Sequence, residues 1–286
     1  MTSIADAATL PLLQALKPSP RMPALFIGHG SPMNAIEDNA WRRSWQSLGT
    51  ELLAREAQPQ LILCISAHWL TRGGWQITGM ARPKTIHDFG GFPQALFDQQ
   101  YPAPGAPAVA QHMAAELKSP TTGQALELDN DVWGLDHGTW SILKPMFPDA
   151  DIPVLQLSMD YSRPPAEHYA LGQQLHGLRE RGVLVVGSGN IVHNLRAMRP
   201  TSSADEAYDW AAEFDTLVHE QIKTGQLDAL QNFQALGAVA QQAHPTYEHY
   251  LPLLYAAGAA RSTDMPRFFN AGYQGAAISM QSIVWG

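Results

Sequence analysis

Cysteine is almost absent from this sequence, because Cys64 is the one cysteine among 286 residues. A disulfide framework is therefore excluded, and so is a structural zinc site built from several thiolates. Because proteins with reduced thiols are typical of the cytoplasm, the composition favours a cytoplasmic protein. Cys64 lies inside an apolar run, which predicts a small buried side chain.

Long apolar runs and clusters of basic residues are missing too. No run reaches the about 20 residues that a membrane-spanning helix needs, and the first twenty residues lack the basic start of a signal peptide. Lys and Arg number 18 against 26 Asp and Glu, which gives a formal net charge of -8. We therefore expect neither nucleic acid nor an anionic membrane as the main partner.

Several common catalytic motifs are also missing from the sequence. There is no His-Glu-x-x-His zinc motif, and no Gly-x-Ser-x-Gly motif that would support a serine hydrolase. The stretch Gly187-Ser188-Gly189 lacks the spacing and the lysine of a phosphate-binding loop.

What the sequence does contain is a set of histidines that follow apolar runs. His29 follows Leu25-Phe26-Ile27-Gly28, His68 follows a run that begins at Leu61, and His193 follows a run that begins at Val183. Such runs, bounded by Gly and Pro, are typical of buried strands. Because ligands bind beyond the carboxyl ends of strands in α/β sheets, the pattern predicts three histidines at one edge of a sheet. A histidine-rich site with open positions suits catalytic zinc or non-haem Fe(II).

Two further histidines are less certain from spacing alone. His137 follows Asp136, which is placed to cap a helix N-terminus. His249 follows Glu248 just before an apolar helix, and only one of these two side chains can readily face a given site.

Alternating apolar runs and amphipathic segments predict the fold class. We expect an α/β protein, a single-domain three-layer sandwich whose central sheet is largely parallel or mixed and is flanked by helices. The predicted division is a leader segment over residues 1–20 and one catalytic domain over residues 21–286. Strands are predicted at 23–28, 61–66, 75–80, 154–159 and 279–284, with another from 183, and helices at 41–56, 106–118, 136–145, 166–181, 204–223, 227–240 and 251–259.

Residues 82–108 differ from the rest in their richness in Pro, Gly and aromatic side chains. Long loops of this kind are usually functional or disordered, and the aromatic content argues against disorder. We interpret residues 83–105 as a wall or lid over the site. The alternative is a surface excursion that packs Phe89 and Phe92 into the body of the protein.

Six motifs follow one another along the chain from about residue 22 to the C-terminus. They are Gly28-His29-Gly30-Ser31-Pro32, Ser66-Ala67-His68-Trp69, Ile86-His87-Asp88-Phe89-Gly90-Gly91-Phe92-Pro93, Asp136-His137-Gly138-Thr139-Trp140, Ser188-Gly189-Asn190-Ile191-Val192-His193-Asn194 and Pro245-Thr246-Tyr247-Glu248-His249-Tyr250. In this order they resemble the DODA-type extradiol ring-opening dioxygenases, and most of all their bacterial 4,5-DOPA members. The resemblance extends to the protocatechuate 4,5-dioxygenase catalytic-subunit superfamily.

The resemblance implies a metal site made by His29, His68 and His249. It leaves His193 open, as a fourth ligand by one family pattern or as the acid/base by the other, and it makes His137 a second histidine near the substrate. In the protocatechuate pattern a glutamate completes the ligand set, so Glu248 is an alternative to His249. The implied substrate contacts are His87, Phe89, Trp140 and Tyr250.

The implied activity is cleavage of a catechol ring beside its two hydroxyls, with O₂, to a ring-opened semialdehyde. One divalent metal per chain is implied, and Fe(II) is expected for activity. Zn(II) is expected as an occupant of purified protein, because such sites bind zinc more tightly than ferrous iron. Two alternatives stay open: a Memo-type metal-binding or signalling protein, and a zinc-dependent hydrolase on the same fold. The identity of the catechol and the oligomeric state are not determined by the sequence.

Overall fold

The computed structural model describes residues 16–286, so most of the expected leader segment lies outside the described residues. Of its last residues, Leu16 is buried, and the Ser19 amide donates a hydrogen bond to the Glu180 carbonyl. No helix in the described range has the length and apolar character that a bilayer crossing requires.

Ten strands and nine α-helices form within this range. The strands are β1 Ala24–Gly28, β2 Leu61–Thr71, β3 Gln76–Thr78, β4 Glu127–Asp129, β5 Val154–Asp160, β6 Val183–Gly189, β7 Pro266–Phe269, β8 Tyr273–Gln274, β9 Ile278–Ser279 and β10 Ser282–Trp285. The helices are α1 Ala40–Leu53, α2 Gln94–Phe97, α3 Pro107–Glu116, α4 His137–Met146, α5 Pro165–Gln173, α6 His176–Arg179, α7 Asp209–Lys223, α8 Ala238–Ala243 and α9 Leu251–Ala259. Three 3-10 helices accompany them, at Pro32–Ala35, Leu195–Ala197 and Leu227–Leu236.

Eight strands form one mixed sheet in the order β4-β3-β5-β2-β6-β1-β10-β7. The four central strands, β5, β2, β6 and β1, are parallel to one another. On one side β3 pairs antiparallel with β5, and on the other β10 pairs antiparallel with both β1 and β7. Strands β8 and β9 pair separately as a small antiparallel hairpin. The predicted α/β sandwich with a mixed sheet is confirmed.

The sequence of the central strands explains why they lie in the middle layer. Every residue of β1, β5 and β6 is buried, as expected for parallel strands that are covered on both faces. Alternate side chains enter two separate cores: Phe26 faces the core beneath α9, and Leu25 faces the core that contains α1 and α4. Helix α9 is buried on all sides, which fits a helix with no polar face.

Some elements differ from the sequence-based expectation. Strands β4 and β7 were not predicted, since each is three or four residues long and only partly buried. The helix expected over 166–181 is divided into α5 and α6, and the one expected from 204 begins at Asp209. Strand β2 extends to Thr71 through a shift in register after Ile65, so His68 lies within an irregular stretch of the strand rather than beyond its end.

Candidate metal centre and substrate cavity

Five histidines from different parts of the chain meet at the carboxyl ends of β1, β2 and β6. The ring centroids of His29, His68 and His249 form a nearly equilateral triangle, with separations of 5.2, 5.2 and 5.0 Å. His137 packs against His68 with a centroid separation of 3.8 Å, and His193 stacks on His249 at 3.4 Å. The structure thus brings together all the histidines that were predicted as ligands or acid/base groups.

His29 is held by the turn that follows β1. Its amide donates to the Gly189 carbonyl, which continues the pairing of β1 with β6. Its Nδ1 lies 3.0 Å from Ser188 Oγ, and that hydroxyl donates its own proton to the Gly138 carbonyl at 2.5 Å. The hydroxyl can therefore only accept from His29, so Nδ1 carries the proton and Nε2 keeps its lone pair.

His68 and His137 share one acidic neighbour that was not predicted. Asp88 Oδ2 lies 3.5 Å from His68 Nδ1 and 2.9 Å from His137 Nδ1, and Asp88 Oδ1 accepts the His137 backbone amide at 2.9 Å. His68 Nε2 in turn lies 3.3 Å from His29 Nε2. Helix α4, which begins at His137, is capped by Asp136 as predicted, because its carboxylate accepts the Thr139 amide.

His249 is placed by the close approach of its loop to β6. A side chain on Gly189 would put its Cβ 2.2 Å from the His249 carbonyl, so only glycine allows this contact. The Asn190 amide donates to the same carbonyl. His249 Nδ1 lies 3.1 Å from Glu248 Oε1, which leaves Nε2 free. Glu248 therefore serves His249 as a hydrogen-bond acceptor.

Burial holds His29, His68, His193 and His249 in the neutral form. It is the main cause that lowers the pKa of His29, His68 and His249 well below the usual value, and the neighbouring histidines lower it further. Burial likewise lowers the pKa of His193 to about 3. Burial alone would raise the pKa of Asp88, but its hydrogen bonds with the His137 side chain and backbone outweigh this effect, and the pKa falls. Neutral imidazole is the form that binds metals.

A cavity of about 530 Å³ opens over the histidines. This volume lies within the range of small-molecule sites. Phe89 and Phe92 form part of its lining, as do Pro32, Gln274 and Ile278. The cavity is therefore a largely apolar chamber above five imidazoles, which suits a flat aromatic ligand.

Residues 83–105 contribute one side of this cavity through Asp88, Phe89 and Phe92. The segment is joined to the body by hydrogen bonds from the Ile86 amide to the Leu135 carbonyl and from the Leu135 amide to the Lys84 carbonyl. Asp88 therefore lies beside the part of the segment that is hydrogen-bonded to the body of the protein, and Phe89 and Phe92 follow it along the chain.

Three of the four expected substrate contacts lie away from the cavity lining. Trp140 is fully buried, and its Nε1 donates to the Ile86 carbonyl. His87 Nε2 lies 2.9 Å from the Gln99 carbonyl, and both residues belong to residues 83–105, which we call the wall segment. Tyr250 is fully buried on the other side of its loop, where its hydroxyl donates to the Leu230 carbonyl. Only Phe89 of the four lines the cavity.

Sequence reasoning missed Asp88, Ser188 and Gln274. Ser188 alternates with the buried glycines of β6, which was the available signal for it. Gln274 comes from the β8–β9 hairpin, where its Oε1 accepts the Ser31 amide and its Nε2 donates to Asn34. No local pattern predicts this contact, since more than 240 positions separate it from Ser31.

Comparison with known proteins agrees with this architecture. The family model described as the catalytic LigB subunit of aromatic ring-opening dioxygenase matches residues 23–279. A 4,5-DOPA dioxygenase extradiol of Escherichia coli K12 is 46% identical over 272 residues, which cover 94% of this chain and 96% of the relative. The 4,5-DOPA dioxygenase extradiol of Beta vulgaris is 35% identical over 257 residues, 90% of this chain and 94% of the relative.

The fold has a solved counterpart as well. A crystal structure of an uncharacterized Escherichia coli K12 protein superposes with a TM-score of 0.77 at 40% sequence identity, covering 93% of this chain and all of the other. The family match spans nearly the whole described chain, and the sequence motifs that predicted it lie at the site. This chain therefore belongs to the LigB family of aromatic ring-opening dioxygenases.

Proposed function

We propose that this protein is a metal-dependent extradiol dioxygenase that opens the ring of a DOPA-like catechol with O₂ to give a semialdehyde. One observation carries the proposal: the rings of three neutral, buried imidazoles lie within 5.2 Å of one another beside an aromatic-lined cavity. Family membership and the names of the curated relatives support the class of reaction.

The ligand set that we propose is His29, His68 and His249. A ring nitrogen about 2.1 Å from a metal puts its ring centroid about 3.2 Å away, so two ligands at about 105° have centroids about 5 Å apart and nitrogens about 3.3 Å apart. The observed centroid separations are 5.0–5.2 Å, and the His29 and His68 Nε2 atoms are 3.3 Å apart. These two lone pairs would repel each other unless a cation stood between them.

His137 and His193 fit this ligand set less well. Their centroids lie 3.8 Å from His68 and 3.4 Å from His249, which would require angles of only about 65–75° at a shared metal. Both rings line the cavity, where a substrate would lie. We therefore assign them to the movement of protons, and this favours the acid/base role for His193 over that of a fourth ligand.

Held by the three rings, a ferrous ion would supply the redox chemistry that O₂ requires and would lower the pKa of the catechol hydroxyls. His193 or His137 would take a hydroxyl proton at a free ring nitrogen and return it later. Phe89 and Phe92 would lie beside the aromatic ring and exclude water from it. Three imidazoles also accept zinc, so purified protein is expected to contain some zinc.

The experiment is anaerobic reconstitution with Fe(II), followed by O₂ uptake and absorbance with a panel that includes DOPA, catechol and protocatechuate. Metal-stripped and zinc-loaded samples serve as controls. We expect one O₂ consumed per ring opened by the Fe(II) protein alone. Equal cleavage by the zinc-loaded or stripped sample would overturn the mechanism, and no uptake with any catechol would overturn the proposed function.

A further inference from the structure

The single carboxylate at the metal centre that comes from the wall segment is Asp88. It reaches both an expected metal ligand and an expected proton carrier, since its Oδ2 lies 3.5 Å from His68 Nδ1 and 2.9 Å from His137 Nδ1. The side chain is largely buried, with 17% of it exposed. Its other oxygen accepts the His137 backbone amide, so the carboxylate cannot rotate away from the two rings without losing a hydrogen bond.

The two contacts of Asp88 Oδ2 favour one position for the proton on each ring. An ionised carboxylate only accepts hydrogen bonds, so a ring nitrogen held against it must bear the hydrogen. A neutral imidazole has one ring proton. With that proton on Nδ1, the lone pair of each ring is on Nε2. For His68, this is the atom that faces His29 Nε2.

The three proposed ligands are not oriented by equivalent partners. His29 has the Ser188 hydroxyl, and His249 has the adjacent carboxylate of Glu248. Only Asp88 orients two rings together, and it alone belongs to the segment that walls the cavity. A carboxylate behind a metal-bound or catalytic imidazole fixes the tautomer and makes the free nitrogen more basic.

We propose that Asp88 is a positioning residue that fixes His68 and His137 as Nδ1-protonated rings and thereby couples the wall segment to the metal centre. The expected effect on kcat rests on the proposed function. The expected effects on the ring tautomers and on metal affinity do not depend on it. Phe89 and Phe92 are the next aromatic residues along the segment. Their movement would then alter the contacts of Asp88 with His68, a proposed metal ligand, and with His137, a proposed base.

The segment also provides a matched control for this proposal. Asp98 lies in the same segment and is exposed, and its carboxylate accepts a hydrogen bond from Gln94 rather than from a histidine. Asp88→Asn and Asp98→Asn therefore make the same chemical change, a carboxylate to an amide, with and without contact to the site. Asp88→Glu restores the charge on a longer side chain and tests whether charge alone is enough.

The experiment combines three measurements on the full-length protein. Long-range ¹⁵N–¹H NMR of the zinc-loaded wild type reports the His137 tautomer, calorimetric competition reports Zn²⁺ affinity, and O₂ uptake of the Fe(II) protein reports kcat and KM. We expect a protonated Nδ1 on His137, and a loss of Zn²⁺ affinity of about 10–100-fold in Asp88→Asn. We also expect kcat to fall more than KM rises, with partial recovery in Asp88→Glu and no change in Asp98→Asn.

A wild-type His137 protonated at Nε2, or Asp88→Asn with unchanged Zn²⁺ affinity, would overturn the role of Asp88. The NMR measurement needs no variant, so the proposal is tested even if Asp88→Asn fails to fold. If the wild type opens no catechol while tautomer and Zn²⁺ affinity follow Asp88, the proposed function fails and the positioning role stands.

Discussion

Replacing Gly138 with alanine is expected to disable the metal centre without removing a ligand. Gly138 is the second residue of α4, directly below the histidine cluster. An alanine Cβ there would lie 2.3 Å from Ser66 Oγ and 2.9 Å from His68 Cδ2, whereas ordinary contacts begin at 3.4 Å. The His68 ring would therefore have to move by roughly 0.5 Å, and metal–ligand distances tolerate only about 0.2 Å.

Two magnitudes follow for Gly138→Ala. Displacement of a proposed ligand, together with a shift of the Gly138 carbonyl that accepts the Ser188 hydroxyl, should weaken metal binding by about 10–100-fold. Overpacking of the buried site should lower the free energy of unfolding of the metal-free protein by about 1–3 kcal/mol.

Gly177→Ala is the matched control for this variant. Gly177 also lies in a helix, α6, but a Cβ there meets no atom within 4 Å. Its free energy of unfolding should rise by up to about 1 kcal/mol from helix propensity, with metal affinity unchanged. Competition with a chelator and urea unfolding measure both quantities. Gly138→Ala with the metal affinity of the wild type would refute the reasoning.

Three other predictions concern the remaining parts of the structure. In His193→Ala, metal content should stay near that of the wild type while kcat falls about 10²–10⁴-fold, and a loss of metal content would instead make His193 a ligand. Phe89→Ala should raise KM or lower kcat at constant metal content, and unchanged kinetics would mean that this side chain only packs against the body of the protein. Burial lowers the pKa of His168 to about 4 against about 6.5 in the unfolded chain, so its contribution is present above pH 6.5 and is lost as the pH falls towards 4. The metal-free protein should lose about 2 kcal/mol between pH 7 and pH 5 from this group, and urea unfolding of His168→Gln should show a correspondingly smaller loss.

The regular part of the fold could be predicted because local signals were strong. Strand β1 is apolar throughout and ends in glycine, β6 opens with four apolar residues before Gly187-Ser188-Gly189, and helix α9 was predicted at its observed bounds, 251–259. The short edge strands β4 and β7 were missed because pairing with neighbours, rather than their own sequence, makes them strands. The irregular course of β2 around His68 has the same origin in tertiary contacts.

The histidines that follow buried strands could be predicted from the sequence. The residues that reach the site from distant loops could not. His29 and His193 follow the strands that carry them, so their meeting follows from parallel pairing of β1 with β6. Asp88 and Gln274 come from a loop and a hairpin whose positions depend on long-range packing. The family resemblance implies a substrate contact for Tyr250, but its side chain is buried against Phe233.

The central claim is that His29, His68 and His249 hold one metal through Nε2, with His137 and His193 outside the ligand set. A crystal structure of the metal-loaded protein, with the metal located by anomalous scattering, tests it most directly. We predict three Nε2 atoms about 2.0–2.2 Å from one ion. An ion bound instead by His137, or by the cluster of His193, Glu248 and His249, would contradict the account.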